Sequence, residues 1–273
     1  MKFDVIEWSN LVFRWVHVFA GIMWVGTTYY FTWLDGRFAE LEKHMSKPPD
    51  QTPARDEKIV WMVHSGGFYR VEKQQVPRVI PEKLHWFRWE AALTWLSGIL
   101  LMALVYYHGG LMVDLEGSRI TTGVAIVLSV VLLAVGWTVY DLMWSSRLFH
   151  NEKLGIMVSY GLVVATTYML FRYFAARAAC LQLGAMFGTI MTANVWMRIL
   201  PAQRRMVAAL KDGREPDQAE ALCAKTRSRH NTFIVIPVVF LMLSNHFPGT
   251  YHWSTISLLV LAGWVAAKFV RRA

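Results

Sequence analysis

Two histidines bracket one apolar run near the end of the sequence. His230 and His246 lie close to the ends of the segment RHNTFIVIPVVFLMLSNHFPG, which runs from Arg229 to Gly249. An imidazole at membrane depth is costly unless it is paired, hydrated or bound to a ligand, so each of these histidines needs a partner. A haem iron, a metal ion or a proton path would each provide one.

A third histidine, His17, lies inside another apolar run, at a predicted depth similar to that of His246. Haem iron in a helix bundle is commonly held by histidines from different helices, which makes His17 and His246 the strongest candidates for iron ligands. His108 and His252 are weaker candidates, because they lie in more polar sequence at predicted helix ends. The alternative for each histidine is a hydrogen bond to a backbone carbonyl or to water.

The spacing of His230 and His246 argues against a haem pair on one helix face. Sixteen residues separate them, which is about 24 Å along a straight helix and about 160° around it. Neither of the two cysteines belongs to a C-x-x-C-H motif, so covalently attached haem is not expected. We therefore predict one b-type haem held by side chains alone, and leave a second haem open.

The elements that must position these histidines are membrane helices. Hydrophobic residues make up 55% of the 273 residues, and 13 residues are Trp. Runs close to 20 residues match a hydrocarbon core about 30 Å thick. Such runs recur at 11–34, 89–107, 120–144, 154–174, 178–200, 232–247 and 253–270. The sequence predicts an all-α, polytopic membrane protein with seven transmembrane helices and a single integral membrane domain over residues 1–273.

The distribution of Lys and Arg predicts the orientation. Basic residues concentrate in the loops 35–87 and 201–229 and at the C-terminus. The positive-inside rule then places the N-terminus outside and the C-terminus in the cytoplasm, as expected for a multi-pass protein of a bacterial inner membrane. This topology accounts for the net charge of +9 without a nucleic-acid partner.

The two basic loops are predicted to carry further structure. Loop 35–87 reads as a polar linker around residues 47–56, followed by a segment that folds back on the membrane face, and loop 201–229 reads as a helical hairpin. In the first loop, basic and aromatic side chains flank two glycines, which let backbone approach a ligand closely. We predict a site for a flat anionic ring formed by His64, Gly66, Gly67, Arg70, Lys73 and Trp86. The alternative is an amphipathic interfacial segment with aromatic anchors.

Titratable residues near the same face are candidates for proton transfer. They are His64, His85, Glu90, Asp141 and His230. Carboxylates at this depth either pair with basic side chains or carry protons. The alternative is a salt-bridge network, for instance Glu90 with Arg88 or Arg198.

Four long motifs resemble the membrane domain of the bacterial membrane-bound urate oxidases (urate hydroxylases, PuuD type). They are RWVHVFAGIMWVGTTYYF at 14–31, HSGGFYRVEK at 64–73, LHWFRWEAALTWLSG at 84–98 and RHNTFIVIPVVFLMLSNHFP at 229–248. The resemblance covers essentially the whole chain. It implies an enzyme of purine degradation that oxidises urate to 5-hydroxyisourate and passes electrons to cytochrome c, and it gives weight to the histidines inside the motifs, namely His17, His64, His85, His230 and His246.

Members of that family typically carry a C-terminal cytochrome c domain after a further membrane helix. The present sequence reaches Ala273 without an eighth span or a C-x-x-C-H motif. We therefore expect the electrons to leave to a separate cytochrome c or to another respiratory acceptor such as the quinone pool. A homo-oligomer is left open.

The predicted function is oxidation of urate, or of a related flat heterocyclic anion, with electrons passing through haem to the respiratory chain. Two rivals remain at this level. The first rival hypothesis is a haem-b electron-transfer subunit of a respiratory complex without a substrate site of its own. The second is a transporter or channel whose histidines carry protons.

Overall fold

The computed structural model describes residues 4–45, 59–74, 77, 80–114, 116–146 and 151–271. This part of the chain forms eight α-helices and one β-hairpin. The elements are α1 (Val5–Met45), β1 (Ile59–His64), β2 (Gly67–Glu72), α2 (Trp89–Leu101), α3 (Thr122–Ser145), α4 (Glu152–Tyr173), α5 (Ala176–Ala193), α6 (Leu200–Lys211), α7 (Gln218–Leu243) and α8 (Trp253–Val270). The predicted helical membrane fold is confirmed, and the small hairpin is an addition to it.

Two π-helical segments extend these helices. Met102–His108 prolongs α2, and Asn194–Ile199 joins α5 to α6 without a break. All the long helices pack into one bundle, in which α5 is the most enclosed: 72% of the apolar window of the α5–α6 helix is buried. Because α5 lies at the centre, it forms walls for cavities on both of its sides.

Six helices of the described chain are long and apolar enough to cross a membrane, one fewer than the sequence predicted. They are Val5–Lys43, Trp89–His108, Thr122–Ser145, Glu152–Tyr173, Ala176–Lys211 and Trp253–Val270. The missing one is α7, because the predicted span 232–247 is only the second half of a helix whose first half is polar. This helix packs against α5 and α8 inside the bundle, so it does not need an apolar surface on every side.

Proline in α7 does not interrupt the helix. Pro237 is fully enclosed within Gln218–Leu243, and Gly263 of α8 packs directly against it. A Cβ at position 263 would lie 3.0 Å from the proline ring. The absence of a side chain on α8 therefore makes room for the ring at the α7–α8 contact.

The loop predicted over 35–87 is organised differently from the expectation. Helix α1 continues through Asp35 to Met45, and the predicted interfacial segment is an antiparallel β-hairpin in which His64 pairs with Gly67. Ser65 and Gly66 both have positive φ, 50° and 76°, as a two-residue type I′ turn requires. The hairpin packs on α1 through Val60, beside Leu34 and Phe38. The predicted polar linker at 47–56 lies outside the described residues.

The second basic loop contains α6, a turn over 212–217 and the start of α7. Arg205 of α6 binds Glu220 of α7 through two parallel hydrogen bonds of 2.6 and 2.8 Å. These hydrogen bonds lower the pKa of the Glu220 carboxyl. We call the end of the bundle that carries this turn, the β-hairpin and Arg271 the basic end.

Candidate functional site

A cavity of about 710 Å³ lies between α1, α2, α5 and α7 in the half of the bundle away from the basic end, and both His17 and His246 line it. We call it the His17–His246 cavity. His17 projects from α1, whereas the exposed His246 lies in the 3₁₀ turn that follows α7. Most of the remaining lining is aliphatic, with Arg14 and Asn245 among its few polar members.

The hydrogen bonds of His17 fix which ring nitrogen carries the proton. Its Nδ1 lies 2.8 Å from the carbonyl oxygen of Thr94 and 3.3 Å from Ser97 Oγ. The carbonyl can only accept, and the Ser97 hydroxyl is already donated to backbone carbonyls of α2. Nδ1 must therefore be the donor, so that Nε2 retains a free lone pair, as in a histidine that binds a metal.

Glycines make the space in this cavity. Gly21, Gly26, Gly98, Gly184 and Gly188 all line it. A Cβ on Gly98 would lie 2.9 Å from Cε1 of His17, whereas one on Gly21 would make only an ordinary contact of 3.8 Å with Thr94. Gly98 is thus required for the position of the His17 ring, and Gly21 is not.

The weaker histidine candidates lie elsewhere. His108 is exposed at the end of the π-helical extension of α2. His252 is exposed before α8, and its Nδ1 contacts Ser254 Oγ at 2.7 Å. Neither lines the His17–His246 cavity. Among the described residues, no three His, Cys, Asp or Glu side chains are grouped to hold a bare metal ion.

A second cavity, of about 530 Å³, lies on the other side of α5, between α3, α4, α7 and α8. Tyr140 and His230 line it, and we call it the Tyr140–His230 cavity. The Tyr140 hydroxyl lies 2.8 Å from His230 Nδ1, and the His230 ring packs against Trp144 with centroids 4.3 Å apart. Arg229, Glu152 and Lys268 lie at its charged edge.

Asp141 is held by two arginines. Arg198 binds both of its carboxylate oxygens, and Arg227 donates to Oδ1 at 2.9 Å. Arg227 is only 4% exposed and also lies over the Tyr140 ring, 5.0 Å from its centroid. The carboxylate therefore neutralises buried positive charge. Of the two interpretations of Asp141, the geometry favours the ion-pair network, although Arg198 pairs with Asp141 and not with Glu90.

The residues predicted to bind a flat anion at the β-hairpin do not line either cavity. Lys73 is bound to Asp35 of α1 at 2.5 Å and Arg70 is exposed on β2. His64 contacts Ser65 within the turn at 2.8 Å. Gly66 and Gly67 belong to the same turn, so the turn itself accounts for both glycines.

The segment that precedes α2 carries the other predicted residues. His85 packs against Phe87 with centroids 4.5 Å apart, and Phe87 in turn packs against Phe31 of α1. Trp86 packs against the small cluster around Ala91 and Val195. Among the described residues, no side chain forms a hydrogen bond or ion pair with the carboxylate of the half-buried Glu90.

Sequence reasoning missed the polar residues that surround His230. Asn194 Nδ2 donates to the Tyr140 hydroxyl at 3.0 Å and to Asn231 Oδ1 at 2.9 Å. Asn231 lies next to His230 in α7, and both asparagines are buried. The available signal was the presence of amides inside apolar runs, where each one needs a partner.

Replacing Asp141 by Asn should destabilise the fold strongly. Removing one partner from a buried ion pair typically costs about 3–5 kcal/mol, and here the buried Arg227 guanidinium would lose its counter-charge. Asp35→Asn is the matched control, because the Asp35–Lys73 pair is exposed and such pairs contribute about 1 kcal/mol or less. Thermal unfolding in a fixed detergent should show a much lower midpoint for Asp141→Asn, and equal midpoints would contradict a role in charge neutralisation.

Comparison with known families accounts for nearly the whole chain. The model of the family described as "Urate oxidase N-terminal" matches residues 4–273. No curated protein and no solved structure matched the chain. Because the match covers the helices, the hairpin and both cavities together, the chain belongs to the urate oxidase N-terminal family.

Proposed function

We propose that this protein is a membrane-bound oxidoreductase that oxidises urate or a related purine anion, and that a b-type haem held between His17 and His246 takes up the electrons. Family membership supports the substrate class. The observation that carries the redox part is the His17–His246 cavity, which is lined by a histidine of α1 and a histidine of the turn after α7, and in which His17 has an unprotonated Nε2.

The lining of this cavity fits haem in three respects. Its walls are mainly aliphatic, its glycines leave room for a flat macrocycle, and Arg14 provides a cation for a propionate group. When bound, haem supplies an iron that accepts and releases one electron at a time. The task of the protein is to hold that iron through His17 and His246, to fix the His17 ring through Thr94, and to exclude water with the aliphatic walls.

The substrate is proposed to bind at the basic end, next to the β-hairpin. Urate carries one negative charge near neutral pH, and Arg70 can donate two parallel hydrogen bonds to such an anion. Conversion of urate and water to 5-hydroxyisourate releases two protons and two electrons. Of the two predicted carboxylates, Glu90 is the proposed proton acceptor, because Asp141 is engaged by two arginines.

Substrate and haem would then lie in different halves of the bundle. Asp35, the partner of Lys73, is eighteen residues along α1 from His17, which is about 27 Å on a straight helix. Electrons therefore need a carrier between the two sites. Their final acceptor is proposed to be cytochrome c or another respiratory component in contact with the bilayer.

One observation favours a second candidate function. The predicted substrate-binding residues lie on the exposed hairpin and before α2, and they line neither cavity. A haem-b electron-transfer subunit without its own substrate site would show this arrangement. Lack of urate turnover by the isolated haem-loaded protein would support this alternative.

Replacing either predicted iron ligand should remove the haem. His17→Ala and His246→Ala should each lose most of the b-type absorption in the reduced-minus-oxidised spectrum, because ligand side chains alone hold the group. His108→Ala and His252→Ala are matched controls outside the cavity and should keep their haem content. Full haem in both His17→Ala and His246→Ala, by pyridine haemochrome assay, would show that the cavity is wrongly assigned.

An added methyl group should have different effects at Gly98 and at Gly21, two of the glycines that line the cavity. Gly98→Ala should displace the His17 ring, since the new Cβ would lie 2.9 Å from it, and the haem should bind more weakly or change its absorption maximum. Gly21 lines the same cavity and has room for a methyl group, so Gly21→Ala should leave the spectrum unchanged. Identical spectra for both variants would contradict the requirement for space beside His17.

Replacing Arg70 should weaken substrate binding. Arg70→Ala removes a charge-assisted contact worth about 1.5–3 kcal/mol, so the Kd for urate should rise about tenfold or more. Arg204→Ala, an exposed arginine on α6, controls for the loss of one positive charge. If calorimetry gives the same urate affinity for Arg70→Ala and the unmodified protein, the substrate site does not include the hairpin.

A further inference from the structure

We propose that the Tyr140–His230 cavity binds a lipid-soluble para-quinone, with His230 Nε2–H donating a hydrogen bond to one of the quinone carbonyls. This site adds an electron acceptor to the proposed urate oxidation, and its catalytic role rests on that function. Binding itself does not depend on it, because the cavity stands on its own geometry.

The cavity has the shape and access that such a ligand needs. Its volume of about 530 Å³ lies within the usual range for small-molecule sites, and most of its lining is apolar. Several lining side chains are exposed on the outer surface of the bundle, among them Val139 of α3, Ile156 of α4 and Val265 of α8. A ligand dissolved in the bilayer therefore reaches the cavity sideways, between helices, and its hydrophobic tail can remain in lipid.

A chain of hydrogen bonds determines which ring nitrogen of His230 carries the proton. The carbonyl oxygen of Met191 can only accept, so the group facing it at 3.0 Å is the NH₂ of Asn231. The Asn231 oxygen then faces Asn194, and the Asn194 NH₂ donates both to it and to the Tyr140 hydroxyl. The orientation of both amides is thus set by a single backbone carbonyl.

Tyr140 transmits this orientation to the histidine. Its oxygen accepts from Asn194, and its only proton is therefore available for His230 Nδ1, 2.8 Å away. Nδ1 is then the acceptor and Nε2 carries the ring proton. Nε2 has no protein partner among the described residues, so its N–H is available to a ligand in the cavity.

This result is the opposite of that for His17. The Thr94 carbonyl makes His17 a lone-pair ligand at Nε2, whereas the Tyr140 hydroxyl makes His230 a hydrogen-bond donor at Nε2. An iron ion requires a lone pair, and a quinone carbonyl requires a donor. The two histidines therefore suit different ligands: His230 can donate a hydrogen bond to a carbonyl at Nε2, but it has no lone pair there for the iron of a second haem.

Two further polar atoms point to the same kind of ligand. Ser159 Oγ of α4 and Trp264 Nε1 of α8 are buried atoms of residues that line the cavity, and neither has a hydrogen-bond partner within the described part of the chain. Buried donors without partners are rare in proteins. Both residues lie on helices other than α7, which carries His230.

The proposed reaction balances when the quinone is the two-electron acceptor. Urate, water and quinone give 5-hydroxyisourate and quinol; the quinone gains two electrons and two protons, and each carbonyl becomes a hydroxyl. His230 Nε2–H delivers one proton and is reprotonated at Nδ1 by the Tyr140 hydroxyl. Water at the charged edge, formed by Arg229, Glu152 and Lys268, supplies the second proton and restores Tyr140.

The location of the cavity suits a carrier between the two proposed sites. Thr232 Oγ1 lies 3.4 Å from Thr32 Oγ1 of α1, which places His230 close to the level of Asp35 at the basic end. On the other side, Leu183 and Phe187 of α5 line this cavity, while Gly184 and Gly188 line the His17–His246 cavity. Only the width of one helix, about 10 Å, separates the cavities.

The test is a titration of the purified full chain, in nanodiscs of quinone-free phospholipid, with decylubiquinone. Quenching of tryptophan fluorescence reports binding, since Trp144 and Trp264 line the cavity. We expect saturable binding whose Kd rises about tenfold in His230→Phe and severalfold in Tyr140→Phe, as for loss of one hydrogen bond. Tyr107→Phe, which removes a hydroxyl bonded to Ser129 outside the cavity, should bind like the unmodified protein.

A second measurement keeps the test valid if His230→Phe folds poorly. Infrared spectra of bound quinone with ¹³C-labelled carbonyls should show one stretch lowered by hydrogen bonding in the unmodified protein, and lowered less in Tyr140→Phe. Absence of saturable binding, with phospholipid as the occupant, would overturn the proposal. So would a second haem that is lost in His230→Phe. Quinone binding without urate turnover would refute the proposed function and leave the quinone site standing. Urate turnover without quinone binding would refute the quinone site and leave the proposed function standing.

Discussion

The contact between α5 and α7 is the constraint on which both cavities depend. These two helices form the shared wall: one face of α5 lines the His17–His246 cavity and the opposite face lines the Tyr140–His230 cavity. Buried amides link them, because Asn194 donates to Asn231 and Asn231 to the Met191 carbonyl. In a bundle surrounded by lipid such groups find no water, so these hydrogen bonds fix the register of the two helices. Gly184, which packs against Leu241 and Met242, allows the close approach.

Within this frame, the neighbours of each histidine decide its chemistry. A backbone carbonyl next to Nδ1 leaves His17 with a free lone pair, whereas a tyrosine hydroxyl next to Nδ1 leaves His230 with a free N–H. Both side chains are imidazoles in a low-dielectric bundle, yet one is suited to iron and the other to a carbonyl oxygen. Asp141 neutralises the arginines beside Tyr140, so the same region keeps its buried charge balanced.

Much of the fold could be predicted from the sequence, because apolar run length is a strong signal for membrane helices. The prediction of membrane spans failed at α7, because the polar first half of this helix is tolerated by burial inside the bundle. It also failed at residues 59–72, where the alternation in IVWMVH and GFYRVE around Ser65–Gly66 indicates a β-hairpin that the helical context obscured. That His17 and His246 line one cavity could be predicted from their depth and from the helices that carry them. The tautomers could not be predicted, since they depend on Thr94 and Tyr140, which are 77 and 90 residues away along the chain.

The most direct test of the account is the absorption spectrum of the purified protein before and after anaerobic addition of urate. The account predicts a b-type haem signal, with one haem per chain by pyridine haemochrome assay, that becomes reduced when urate is added. Absence of haem from protein expressed with an adequate haem supply would contradict the redox account and make the histidines part of a proton path. A b-type signal that urate leaves oxidised would instead contradict the substrate assignment and favour an electron-transfer subunit.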